Sequence, residues 1–132
     1  MSSTILALDI GERKIGIARA NTIAKIAEPL VTLANDDQFL SKLKHLIIEH
    51  QVERIIVGLP RNLEGQDTKQ TSYVKEFIQG LNLKAEIVFQ DEALTSVNAE
   101  DLLSSSGKAY NKEDIDAVAA SIILDDYIKG EF

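Results

Sequence analysis

The sequence predicts an α/β fold, a five-stranded mixed sheet with helices on both faces. Three observations predict it. The first third carries nearly continuous apolar runs separated by short turns, the pattern of a hairpin meander. Further on, apolar runs of strand length alternate with segments whose apolar residues recur at helical spacing, the pattern of βα units. The chain has 132 residues, 45% hydrophobic and 27% charged, which suits one domain spanning residues 1–132.

Residues 4–10, Thr-Ile-Leu-Ala-Leu-Asp-Ile, read as a strand covered on both faces. Gly11-Glu12-Arg13-Lys14 is a hairpin turn, and residues 15–20 are its return strand. A third strand falls within residues 23–33, where Pro29 marks an edge or a bulge. Asn35-Asp36-Asp37 is expected to cap a helix whose apolar stripe is Phe39, Leu40, Leu43, Leu46 and Ile47. Residues 54–58 form a short buried strand stopped at Gly58-Leu59-Pro60. A polar loop over residues 61–67 leads to a helix built on Tyr73, Val74, Phe77, Ile78 and Leu81, and residues 85–90 form the last strand. A short helix over residues 97–103, a connector at Ser104-Ser105-Ser106-Gly107, and a helix from Ile115 towards Tyr127 complete the order β-β-β-α-β-α-β-α-α. Asn111-Lys112-Glu113-Asp114 has the form of a cap for that last helix.

Composition narrows the function. With no cysteine, disulfides and thiolate metal sites are excluded. No stretch approaches the roughly 18 apolar residues of a membrane span, and the start lacks the features of a signal peptide. A soluble cytoplasmic protein without a membrane partner is the expectation. The formal net charge of -7 argues against a broad basic face for nucleic acid. Carboxylates gathered around cations would also raise the acidic count, and Arg13, Lys14 and Arg61 could still meet phosphate locally.

Three acidic positions stand beside buried elements: Asp9 at the end of the first strand, Asp91-Glu92 after the last strand, and Asp116 one turn into the last helix. Each has an ordinary explanation alone, namely a hairpin turn, a cap and a solvated helix face. In an alternating strand only one of Asp91 and Glu92 can face the side of Asp9. Together the acids would repel unless a cation neutralised them, and hard oxygen donors without Cys suit Mg²⁺ or Mn²⁺. Paired ions of that kind serve phosphodiester hydrolysis. His45 and His50 are five apart on a helix and do not stack on one face. Arg61 and Asn62, in the loop after Pro60, are either phosphate contacts or parts of a simple connection.

These motifs resemble the YqgF/RuvX family. Leu8-Asp9-Ile10-Gly11 with Arg13 to Ala18, Ile56 to Asn62 with Gly65, Asp91 to Ser96 with Ala99-Glu100, and Ile115 to Ala120 match in order across essentially the whole chain. The resemblance implies an RNase H-like fold whose first three strands are antiparallel. It implies a metal-dependent nuclease, members being described as Holliday junction resolvases and as nucleases that process the 5′ end of pre-16S rRNA. It places the catalytic acids at Asp9, Glu92 or its neighbour Asp91, and Asp116. One position departs: the family usually has Arg after its acidic pair, and here it is Ala93.

The expected function is a Mg²⁺- or Mn²⁺-dependent endonuclease in 5′-end processing of pre-16S rRNA. Asp9, Glu92 and Asp116 would be catalytic, Asp9, Asp91, Glu92 and Asp116 the metal set, and Arg13, Lys14, Arg61 and Asn62 the nucleic-acid contacts. Its partners would be pre-rRNA or branched DNA, with ribosome-assembly particles a further class, and the chain a monomer or homodimer. The alternatives are a resolvase of four-way DNA junctions, which a two-fold dimer would suit, and an inert nucleic-acid-binding module, which Ala93 would suit. An actin-like ATPase also uses an Asp-x-Gly turn, but it needs two such domains.

Overall fold

A computed structural model of the chain describes residues 3–62, 64–91 and 112–131. The order is β1 (Thr4–Ile10), β2 (Lys14–Asn21), β3 (Ala27–Ala34), α1 (Phe39–Glu49), β4 (Val52–Leu59), α2 (Lys69–Leu81), β5 (Glu86–Asp91) and α3 (Lys112–Glu131). The expected helix over residues 97–103 and the connector after it lie outside the described residues.

One sheet runs β3-β2-β1-β4-β5. β1 pairs antiparallel with β2, and β2 with β3, while β4 lies parallel to both β1 and β5. The carboxyl ends of β1, β4 and β5 therefore emerge at one end of the sheet, where open α/β sheets place their sites. Pro29 sits in β3 at the sheet edge, and the register between β2 and β3 shifts between Ile17 and Ala18, so the edge and the bulge coincide.

Strand alternation divides the core in two. On one face Leu6, Leu8, Ile10, Ile15, Ile17, Ile55, Val57 and Leu59 pack against Phe39 and Leu43 of α1 and Val74 and Ile78 of α2. On the other, Ile5, Ala7, Ala18, Ala20 and Ile56 meet Ala120, Ile123, Leu124, Tyr127 and Ile128 of α3. The first face is bulky, and the second is rich in alanine.

One helix start differs from expectation. α1 begins at Phe39 with Gln38 as its N-cap and no side-chain cap bond. Asp36 forms a local turn instead, its Oδ1 accepting from Gln38 N at 2.9 Å. Asn35 is withdrawn from capping because its amide is used in tertiary bonds described below. α2 begins at Lys69, soon after the expected polar loop. Thr68 and Thr71 form a reciprocal capping box there, and Asn82 closes the far end in the left-handed conformation.

Candidate active site

Asp9 is the last inward position of β1 on the α3 face, two residues beyond Ala7. Its ladder partner in β2 is Gly16. Directly paired residues send their side chains to the same face, so Asp9 and the bare Cα of Gly16 look towards α3 together. A Cβ built on Gly16 would lie 2.0 Å from the backbone oxygen of Asp116 and 2.9 Å from the nitrogen of Ala117. Only glycine admits that contact. The backbone of α3 is thus seated on β2 at the rung shared with Asp9, and this brings Asp116 beside it. Ala117, Ala119 and Ala120 continue the close approach, all of them buried. Asp9 and Asp116 are both half-buried.

Asp91 goes elsewhere. Ile87 packs with the α1–α2 core and Val88 with the α3 core, so alternation puts Asp91 on the side of Ile87. Its rung partner Leu59 also belongs to the α1–α2 core. Asp91 Oδ1 accepts from Arg61 Nε at 3.0 Å. Glu92 and Ala93 lie outside the described residues. Among the described residues no group of three or more His, Cys, Asp or Glu side chains could hold a metal ion. Asp9 and Asp116, whose backbones meet at the Gly16 rung, are hard oxygen donors beside a backbone cradle that any Cβ would fill. That donor set suits Mg²⁺ or Mn²⁺.

The basic candidates divide as the acids do. Arg13 is exposed in the β1–β2 turn and Lys14 opens β2, both next to the Asp9 rung. Arg61 is committed inside its loop: its guanidinium pairs with Asp67 as well as Asp91, and Lys75 stands 3.7 Å from Asp67. Asn62 Oδ1 accepts from the backbone nitrogens of Glu64 and Gln66 at 3.0 and 2.9 Å, and its Nδ2 donates to Gln66 Oε1 at 3.0 Å. Gly65 takes the positive φ of 78° that this fold of the loop requires. Thr71, the one buried polar residue among those described, donates its hydroxyl to Pro60 O and accepts from Thr68 N at 2.9 Å. Arg61 and Asn62 therefore build the loop. Of the two histidines, His45 is exposed, while Nδ1 of the half-buried His50 lies 3.3 Å from Arg19 Nη1.

Away from this end, Arg54 of β4 donates to Glu86 at 2.9 Å and to the Tyr127 hydroxyl, fastening the C-terminal half of α3 to the sheet. The Glu86 hydrogen bond, with Tyr127, raises the pKa of Arg54 above its ordinary value.

Sequence reasoning missed Gly16, Asn35, Tyr73 and Thr71. A glycine inside an otherwise apolar strand was the available signal for the first, since it marks a close backbone approach.

The family model described as "RuvX: Holliday junction resolvase" matches residues 3–130. The chain belongs to the RuvX family. A relative from Chloroflexus aggregans, named "Putative pre-16S rRNA nuclease", is 41% identical over 131 residues, covering 95% of this chain and 92% of its own. Relatives of the same name from Sulfurihydrogenibium and Shewanella oneidensis are 38% and 34% identical, covering 96% and 99% of this chain and 90% and 97% of theirs. Among solved structures, T. thermophilus RuvC in complex with Holliday junction substrate aligns with a TM-score of 0.59 at 11% identity, covering 97% of this chain and 94% of that one. The fowlpox virus Holliday junction resolvase aligns with a TM-score of 0.57 at 14% identity, covering 96% and 99%. At such identities these two show the fold, which is RNase H-like, with the first three strands antiparallel as expected. Among the described residues, no helix is long and apolar enough to cross a membrane.

Proposed function

We propose that the chain is a cytoplasmic endonuclease that hydrolyses phosphodiester bonds in structured RNA, acting in 5′-end maturation of pre-16S rRNA. The observation that carries this reading is the seat of α3 on Gly16, which brings Asp116 to the rung of Asp9. The name shared by relatives that match nearly end to end supports the substrate class.

Asp9 and Asp116, with Glu92 as the third acid, would hold Mg²⁺ or Mn²⁺. Such an ion, when bound, polarises a phosphoryl oxygen and makes bound water more acidic. Glu92 is preferred to Asp91 because Asp91 is turned to the other face and neutralised by Arg61. Arg13 and Lys14 would meet the phosphate backbone at the mouth of the site, a positioning role without sequence readout. We assign Arg61 and Asn62 to loop architecture.

The family model's description favours a second reading, cleavage of four-way DNA junctions. One preparation assayed on a precursor rRNA leader and on a four-way junction, with and without chelator, separates the two. Metal-dependent cleavage of the leader, absent in Asp9→Asn, is the expected result. Junction cleavage alone would transfer the function to the second reading. Binding without cleavage, indifferent to chelator, would make the chain an inert module.

A further inference from the structure

We propose that Asn35 and Tyr73 are positioning residues for the nucleic-acid substrate, because together they fix the turn that carries Arg13 and Lys14 beside Asp9. The inference rests on the reading that those two cations meet the phosphate backbone. The turn is tight: Gly11 N donates to Lys14 O at 3.0 Å, and a Cβ on Gly11 would lie 2.7 Å from that same oxygen. Two of its carbonyls, those of Gly11 and Arg13, are bound from outside. Asn35 N donates to Arg13 O at 2.8 Å. Asn35 Nδ2 donates to Gly11 O at 2.8 Å and to the Tyr73 hydroxyl at 2.9 Å. A backbone carbonyl can only accept, so Gly11 O dictates which end of the Asn35 amide faces it.

One half-buried amide thus joins three elements: the β1–β2 turn, the segment leaving β3, and α2. Tyr73 is held in turn by its ring, which packs on Phe77 with centroids 6.0 Å apart. Gln70, one helical turn earlier on α2, adds a contact from Nε2 to Ile10 O at 3.5 Å. The same stretch of α2 carries Thr71, whose hydroxyl donates to Pro60 O just after β4. The β1–β2 turn is therefore anchored on α2 through both Tyr73 and Gln70. A cation on a loose turn loses freedom when it binds phosphate, whereas a turn fixed beforehand does not. Removing the anchor should weaken binding and leave the carboxylates untouched.

The test is equilibrium binding of a fluorescein-labelled RNA hairpin with a single-stranded 5′ extension, using the full chain carrying Asp9→Asn so that nothing is cut. Tyr73→Phe keeps the ring and deletes only the hydroxyl. It is expected to weaken binding roughly three- to ten-fold, and Asn35→Ala by more. The deciding arm repeats Tyr73→Phe on a chain already carrying Arg13→Ala and Lys14→Ala. There it should change nothing further, since the groups it positions are gone. A merely structural role would not give that dependence. Equal weakening in both backgrounds, weakening in neither, or no binding of the hairpin by the starting chain would overturn the proposal. The readout is affinity, so the nuclease reading fails or stands separately, in the cleavage assay above.

Discussion

The two faces of the sheet are built to opposite specifications. Towards α1 and α2 the strands present leucine, isoleucine and valine at nearly every inward position, and the helices answer with Phe39, Leu43, Val74 and Ile78. Towards α3 the same strands present Ala7, Asp9, Gly16, Ala18 and Ala20. Side-chain size on the sheet sets how near a helix can come. The bulky face excludes water and stabilises the fold. The small face lets α3 rest its backbone on β2, which brings the backbone of Asp116, from the far end of the chain, to the rung that Asp9 shares with Gly16.

This contrast can be broken at one residue at a time. The largest effect is expected at Asp9 itself. Asp9→Asn should lower cleavage roughly a thousand-fold, the scale of several kcal/mol of lost charge stabilisation, with an unchanged circular dichroism spectrum. Full, metal-dependent cleavage by that variant would remove Asp9 from the chemistry. Next is Leu8→Ala on the opposite face. It should destabilise by about 2–5 kcal/mol in denaturant unfolding, while the folded fraction keeps its turnover.

Gly16→Ala should invert that pattern. Its methyl must displace the α3 backbone, an overpacking cost of about 1–3 kcal/mol, and turnover per folded molecule should fall further than stability alone explains. If Gly16→Ala behaved like Leu8→Ala, the close seat of α3 would not matter to the site. The smallest effect belongs to Asp91→Asn. An exposed ion pair contributes about 0–1 kcal/mol, so cleavage and its Mn²⁺ dependence should change only a few-fold. Loss on the scale of Asp9→Asn would return Asp91 to the metal set.

Much of this was legible in the sequence because it is local. The run over residues 4–10, the turn at Gly11 and Pro29 at an edge each follow from side-chain chemistry within a few residues. So does the placing of Asp9 at the end of a strand and of Asp116 one turn into a helix. What was not legible depends on register across the sheet. Gly16 is one glycine in a strand until β1 is seen to pair Asp9 with it and α3 is seen to rest on it. Asn35 has the sequence look of a helix cap, and only the approach of Tyr73, 38 residues away, shows where its amide is spent. For Arg61 the sequence leaves a phosphate contact and a simple loop connection both open, and only the fold shows Asp67 and Asp91 holding it from two directions.

The most direct measurement is a crystal of the chain soaked in Mn²⁺, with anomalous scattering used to locate the ion. Density shared by the Asp9 and Asp116 carboxylates on the α3 face is the expected result. An ion held by Asp91 on the other face, or no ion beside Asp9 at saturating Mn²⁺, would contradict it.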